Sequence, residues 1–343
     1  MQIRGICRGA VVKFEDETGV FTISLDFELR WGDLEGFARE TYRENLLGVR
    51  HAIPGMLKLF SEHGIHATWA TVGFLFFSGR DELLENLPTI LPEYTQEDLS
   101  PYLHIERTGN SEEEDPLHYA PSLIEQIAVT PGQEVATHTF SHYYCLEEGQ
   151  TAAAFSADLR AAQHIAARQG IELRSLVFPR NQFNEEYLSI CAKHGIIAYR
   201  GNQRSWMYEA STTDGEPRSK RLARLADVYL NLSGHNGHDA GVMGREVPFN
   251  VPASRLLRPV SRVAAPLEPL RLRRIKNEMS HAARNALLYH LWWHPHNFGA
   301  DVEANLEFLQ QVLAHYRLLK EEYGMESLTM GEIAQRRLAA VSS

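Results

Sequence analysis

The feature that most constrains the fold is a repeated alternation of short β-prone runs with longer stretches of helical spacing. Residues 20–25 alternate apolar and small polar side chains and read as a strand whose end carries Asp26. Residues 43–63 have helical spacing, and Gly64 supplies a stop. Residues 67–77, β-branched and aromatic, read as a buried strand. The rhythm resumes with a strand at 133–137, an Ala-rich helix at 151–169, a strand at 173–178, a helix at 185–194 and a strand at 196–199. It closes with a strand at 287–293, a long helix at 301–323 and a last helix opened by a capping box of Thr329 with Glu332. This order predicts an α/β fold, a parallel sheet or barrel covered by helices. Sites in such folds gather at the carboxyl ends of strands, and Asp26, His138, Arg180 and His294 all follow predicted strands.

Two stretches break the rhythm. Residues 78–121 read as short acidic helices and loops, and residues 201–279 are rich in Arg, Pro and Gly with little period. Both are expected as insertions over one mouth of a single catalytic domain spanning 1–343, a length that holds one barrel of about 250 residues with additions. Their charges oppose each other. Residues 199–276 hold fourteen Lys and Arg against seven Asp and Glu, while 81–115 end in the run Glu112-Glu113-Glu114-Asp115.

Composition then removes whole classes of function. A formal charge of −10 argues against general nucleic-acid binding, which needs a basic surface. No run approaches the roughly 18 apolar residues of a membrane span. The first twenty residues mix Arg4, Arg8, Lys13, Glu15 and Asp16 with apolar positions, so no signal peptide is expected. Cys7, Cys145 and Cys191 are too few and too scattered for a disulfide framework or a thiolate zinc site, which suits a reducing cytoplasm. There is no Gly-x-Ser-x-Gly and no phosphate loop.

The strongest local signal is His138-Thr139-Phe140-Ser141-His142. Histidines four apart lie on one side of a helical turn, close enough for two imidazoles to hold one divalent ion. Asp26 and Glu28 end an otherwise apolar strand, where ionised groups need a partner. One reading makes them a cap or a salt bridge to an arginine. The other divides the work, with one carboxylate completing a His-His-carboxylate site and the other acting as general base. Bulk water has a pKa of about 15.7 against about 3.9 for Asp, and metal binding brings the water to about 7.

These residues resemble the motifs of the polysaccharide deacetylase family. Ser24-Leu25-Asp26-Phe27-Glu28 looks like the Asp-x-Glu variant of its first motif, Thr-Phe-Asp-Asp-Gly, and His138 to His142 matches the second, His-Ser/Thr-x-x-His. Phe178-Pro179-Arg180-Asn181 stands for the arginine motif in altered order, and Leu291-Trp292-Trp293-His294-Pro295 fits the last. For the remaining motif the one candidate is Tyr199 to Trp206, a poor match. The resemblance covers about residues 20–300 and implies a distorted (β/α) barrel and a metal-dependent amide hydrolase. Asp26 would be the general base, held by Arg180. Glu28, His138 and His142 would bind the metal, zinc or else cobalt, nickel or iron, although Asp26 and Glu28 could exchange roles. His294 would protonate the leaving amine, and a backbone N–H near Tyr143 would help hold the oxyanion.

The expected substrate is an N-acylated sugar or glycan precursor for cell-surface polysaccharide, such as lipopolysaccharide or O-antigen, within the cytoplasm. The alternatives are a small non-sugar amide, imide or formyl substrate, or an inactive carbohydrate-binding relative. Trp31 and Trp206 are candidates for stacking on a sugar, as are Trp292 and Trp293 if they are not core. His296 and Asn297 could bind hydroxyls or fix a turn. His235 and His238 are expected in a solvent-facing loop in preference to a second metal site. The basic stretch, with Arg200, Arg204 and Arg224, either faces an anionic substrate or forms a solvated face paired with the acidic insertion.

Overall fold

The computed structural model describes residues 18–32, 42–203, 205 and 218–342. Its elements, in chain order, begin with β1 (Val20–Phe27), α1 (Arg43–His63), β2 (Ala67–Thr71), α2 (Arg80–Glu85), α3 (Pro121–Val129) and β3 (Gln133–Thr137). There follow α4 (Ala152–Arg168), β4 (Ser175–Leu176), α5 (Glu185–Lys193), β5 (Ala198–Tyr199), α6 (Arg218–Tyr229), β6 (Phe249–Asn250) and β7 (Arg255–Leu256). The last are α7 (Glu268–Arg284), β8 (Leu288–Trp293), α8 (Val302–Tyr323), β9 (Glu326–Ser327) and α9 (Met330–Ser342).

The strands form one sheet in the order β6-β5-β4-β3-β2-β1-β8-β7, and each pair is parallel. Its two ends are joined by residues 251–254 alone, which reach at most about 17 Å. Laid flat, eight strands spaced about 4.8 Å apart would put those ends about 34 Å from each other. The sheet must therefore curl, and this is the distorted barrel that the resemblance implies. Across the seam the N–H of Ala253 reaches the carbonyl of Gly201 beside β5, and the N–H of Ser254 reaches that of His290 in β8. β1 is buried along its whole length because it has neighbours on both sides: β8 along one, and on the other β9 at Val20 and Phe21, then β2 from Ile23.

The helices cover this sheet by ordinary amphipathic spacing. α1 buries Leu46, Val49, Ile53, Met56, Leu57 and Phe60, then stops at Gly64, whose φ of 62° is open to glycine at little cost. Thr151 caps α4 by accepting the N–H of Ala154. At α9 the capping box forms as expected: Thr329 Oγ1 accepts the N–H of Glu332, and the Glu332 carboxylate accepts the N–H of Thr329. Thr329→Ala is expected to cost about 1 kcal/mol, read from the urea midpoint at unchanged m-value. No described helix is long and apolar enough to cross a membrane.

The two irregular stretches differ from each other. Residues 78–121 are short helices and turns, and their carboxylates are used locally. Glu112 pairs with Arg50, Asp115 accepts the N–H of Gly109, and Glu114 accepts that of Asn110. Residues 201–279, expected to be irregular throughout, supply β6 and β7 to the sheet and most of the 17-residue α7. Part of their basic excess is spent inside. Arg255 lies 2.6 Å from Glu278, Arg274 lies 2.9 Å from Asp227, and the Tyr289 hydroxyl donates to Glu278. Such buried ions stay only because each has a partner.

Candidate active site

Four strands deliver polar groups to one end of the barrel, the end where their carboxyl termini lie. β1 carries Asp26 at its next-to-last position and Glu28 just beyond. β3 ends at Thr137, before His138; β5 ends at Tyr199, before Arg200; β8 ends at Trp293, before His294.

His138 and His142 meet, but not on a helix. Thr139 and His142 have φ of 65° and 58°, so the chain turns sharply through left-handed conformations that non-glycine residues seldom adopt. The turn brings both Nε2 atoms to one oxygen, Glu28 Oε2, at 3.2 and 3.1 Å. All three residues are buried. The Nδ1 of His138 is 2.8 Å from the Val177 carbonyl, which can only accept, so Nδ1 carries a proton and Nε2 is the ring nitrogen that faces Glu28. Burial pushes His142 down to about 4, leaving it neutral at pH 7. Burial opposes ionisation of Glu28, but His294 and then the two imidazoles outweigh it and hold the carboxyl well below its ordinary range.

Two imidazole nitrogens and a carboxylate oxygen aimed at one point are a donor set that fits a divalent metal. The donor atoms of Glu28, His138 and His142 lie within 4.8 Å of one another. Ligands at about 2.0–2.2 Å around a tetrahedral ion stand roughly 3.3–3.6 Å apart, close to the spacing seen.

Asp26 lies beside this group with a different partner. Burial would raise its pKa, but the Arg200 guanidinium prevails and lowers it. Arg200 grips both carboxylate oxygens, at 2.6 and 2.7 Å, and also donates to Ser24 Oγ and Asn181 Oδ1 while lying 4.2 Å over the Trp292 ring. His290 supports Ser24 from behind at 2.8 Å. The fifth group, His294, has its Nε2 3.4 Å from Glu28 and 3.9 Å from Asp26. Its side chain is 26% exposed, against 9% or less for the two carboxylates, so it is the group a substrate meets first.

The structure thus brings together Asp26, Glu28, His138, His142 and His294. It corrects several other expectations. Arg180 does not hold Asp26: its guanidinium lies on the face of Tyr144, 4.4 Å away, while its neighbour Asn181 reaches Arg200. Arg200, considered for an anionic substrate, is buried inside the barrel with both terminal nitrogens spent on Asp26, Ser24 and Asn181. Trp31 is core, not a sugar platform; its indole N–H donates to the His118 carbonyl, and its ring packs against Phe74. The N–H of Tyr143 is taken by Thr139 Oγ1 and its hydroxyl donates to the Thr151 carbonyl, so neither is offered to an oxyanion.

Trp293 is buried, and Trp292 is half-buried beneath Arg200. His296 is buried behind His294, and burial pushes it down to about 3. Asn297 fixes the turn by accepting from the Tyr42 hydroxyl. His238 is buried against the Ala253 carbonyl and so does not face solvent as expected, whereas His235 is half-buried in a loop with exposed neighbours and stacks on His281. Trp206 and Arg204 lie outside the described residues. The residues that sequence reasoning missed are Arg200 in this role and Asp158, which binds the turn between the two histidines. For Arg200 the signal was its place directly after a strand.

No protein-family model and no curated protein sequence matches the chain. Solved structures do. A protein from Mycobacterium smegmatis described as a polysaccharide deacetylase superposes over 97% of this chain and 94% of its own, with a TM-score of 0.59 at 15% identity. A second, from Pseudomonas aeruginosa PAO1 and described in the same way, covers 92% of this chain and 89% of its own, with a TM-score of 0.52 at 9% identity. At these identities the likeness is one of fold, and the fold is that of the polysaccharide deacetylases.

Proposed function

We propose that this chain is a metal-dependent hydrolase that removes an N-acyl group, most simply N-acetyl, from a sugar or glycan precursor of cell-surface polysaccharide. The observation that carries the reading is the convergence of Glu28, His138 and His142 on one point, with Asp26 and His294 beside it. Glu28, His138 and His142 would hold a divalent ion, zinc or else cobalt, nickel or iron, which would supply Lewis acidity toward an acyl carbonyl and lower the pKa of water from about 15.7 to about 7.

The remaining work falls to side chains. Asp26, kept ionised by Arg200, takes the proton of the attacking water. Arg200 keeps both oxygens of Asp26 in one orientation, so the base needs no search for its geometry. His294, the accessible member of the group, gives its Nε2 proton to the leaving nitrogen, which would otherwise depart as a poor anion. His296, packed behind it and neutral, limits the ring's freedom. The free, buried thiols of Cys145 and Cys191 favour a reducing cytoplasm as the place of reaction.

The test is elemental analysis joined to a product assay. Purified protein is expected to carry about one equivalent of divalent metal, to lose activity to a chelator and to regain it with zinc, cobalt or nickel. It should release acetate from a panel of N-acetyl sugars and nucleotide sugars. Formate release, or turnover of small amides alone, would move the substrate away from acetylated sugars. Less than about half an equivalent after metal addition, with no product, would leave a binding module of the same fold.

A further inference from the structure

Asp158, on α4, is a buried carboxylate that the proposed mechanism does not use. Its described partners are neutral donors, all from the turn between the two histidines: the N–H of Phe140 at 2.6 Å, the N–H of Ser141 at 3.1 Å and the Ser141 hydroxyl. Groups whose titration feels its charge are Tyr94, Tyr102, Tyr143 and Cys145, a phenol-and-thiol wall with no cation in it. Burying an anion in such a place is costly, and burial does push Asp158 up to about 6. A carboxylate kept there against that cost has its reason in the three donors it gathers.

What those donors hold is a strained turn. Thr139 is β-branched and His142 is bulky, yet both lie at positive φ, a conformation that persists only where the surroundings enforce it. The turn's polar groups are accounted for on both sides. Gly73 and Phe74 donate their N–H groups to the carbonyls of Thr139 and Phe140, and Asp158 takes the N–H groups of Phe140 and Ser141. The close approach depends on Gly73, since a Cβ there would stand 2.8 Å from the Cα of Phe140.

We propose that Asp158 is the positioning residue of the metal centre. Clamped from α4, the turn aims the Nε2 atoms of His138 and His142 at the same oxygen of Glu28. This inference rests on the metal-site reading above. Asp158 bonds neither a ligand side chain nor the substrate, and its effect passes through two backbone amides and the Ser141 hydroxyl.

The test is a competition titration of Zn2+ against a chromophoric chelator, on the full chain, for wild type, Asp158→Asn and Ser141→Ala. The asparagine retains shape and one acceptor oxygen but turns an N–H2 toward a donor. Affinity for Zn2+ is expected to fall about 10- to 100-fold in Asp158→Asn and less in Ser141→Ala, which loses one of three donors. In the assay for released acetate, kcat should fall with little change in KM and recover as Zn2+ is raised. A merely structural anchor would lower the unfolding midpoint and leave the affinity of the folded protein alone. Wild-type affinity in a folded Asp158→Asn, or in Ser141→Ala should the first variant not fold, would overturn the proposal. If wild type itself takes up no Zn2+, the metal reading fails first and this inference with it.

Discussion

Arg200→Ala is expected to abolish most activity and to cost about 3–5 kcal/mol of stability, because it leaves the Asp26 carboxylate buried without its partner. The cost should depend on pH in a definite direction. With Arg200 present, Asp26 lies below its ordinary value; with Arg200 gone, burial, the largest influence on it, is opposed by His138 and His294 alone and moves it upward. An acid whose folded pKa exceeds its unfolded one destabilises the protein as pH rises through the folded value, so the deficit should be largest near pH 7 and shrink toward pH 4. Urea unfolding of wild type and variant across that range measures it. Arg180→Ala serves as the contrast, since its guanidinium rests on the Tyr144 face and does not pair with Asp26. Equal losses for the two arginines, or a deficit in Arg200→Ala that grows on acidification, would show that the Asp26 pair is not what holds this side of the site.

That contrast also shows where sequence reading succeeded and where it stopped. Long elements with a clear period were legible: α1 to its left-handed Gly64, α4 from its Thr151 cap, α8, and the capping box of α9. Residues 67–77 were read as one strand, but β2 ends at Thr71 and a 3-10 turn covers Gly73–Phe76. An apolar run reports burial, and both parts are buried. β6 and β7 could not be seen because two residues carry no period; they are strands only because the curled sheet offers them partners. The two histidines and the two carboxylates were legible from residue types and from their places after strands, while the choice of Glu28 to join the histidines came from the resemblance. The geometry of the set was not legible, since helical spacing suggested one face of a helix, whereas Asp158 and two left-handed residues build the turn. Arg180 and Arg200 both follow strands, and local sequence does not say which guanidinium points inward. The deciding fact is long-range: Asn181 and Ser24 stand where Arg200 needs acceptors.

The two carboxylates of β1 should separate completely when each is replaced by its amide. Glu28→Gln is expected to lose metal by 100-fold or more and activity with it, since an amide is a poor ligand and Glu28 is, among the described residues, the carboxylate facing both imidazoles. Asp26→Asn is expected to keep its metal and lose about 10²–10⁴ in kcat, the range of a removed general base. It should also cost less stability than Arg200→Ala, because the asparagine still offers one acceptor oxygen to the guanidinium, although Arg200 then has no counter-charge. Metal content by elemental analysis, kcat at saturating metal and the unfolding midpoint give three readings per variant. The roles are exchanged if Asp26→Asn is the variant that loses metal and Glu28→Gln retains it. Activity surviving in Asp26→Asn would pass the proton acceptor to His294, whose Nε2 lies 3.9 Å from Asp26 and 3.4 Å from Glu28. Asp26 would then serve only to orient that ring and to neutralise Arg200.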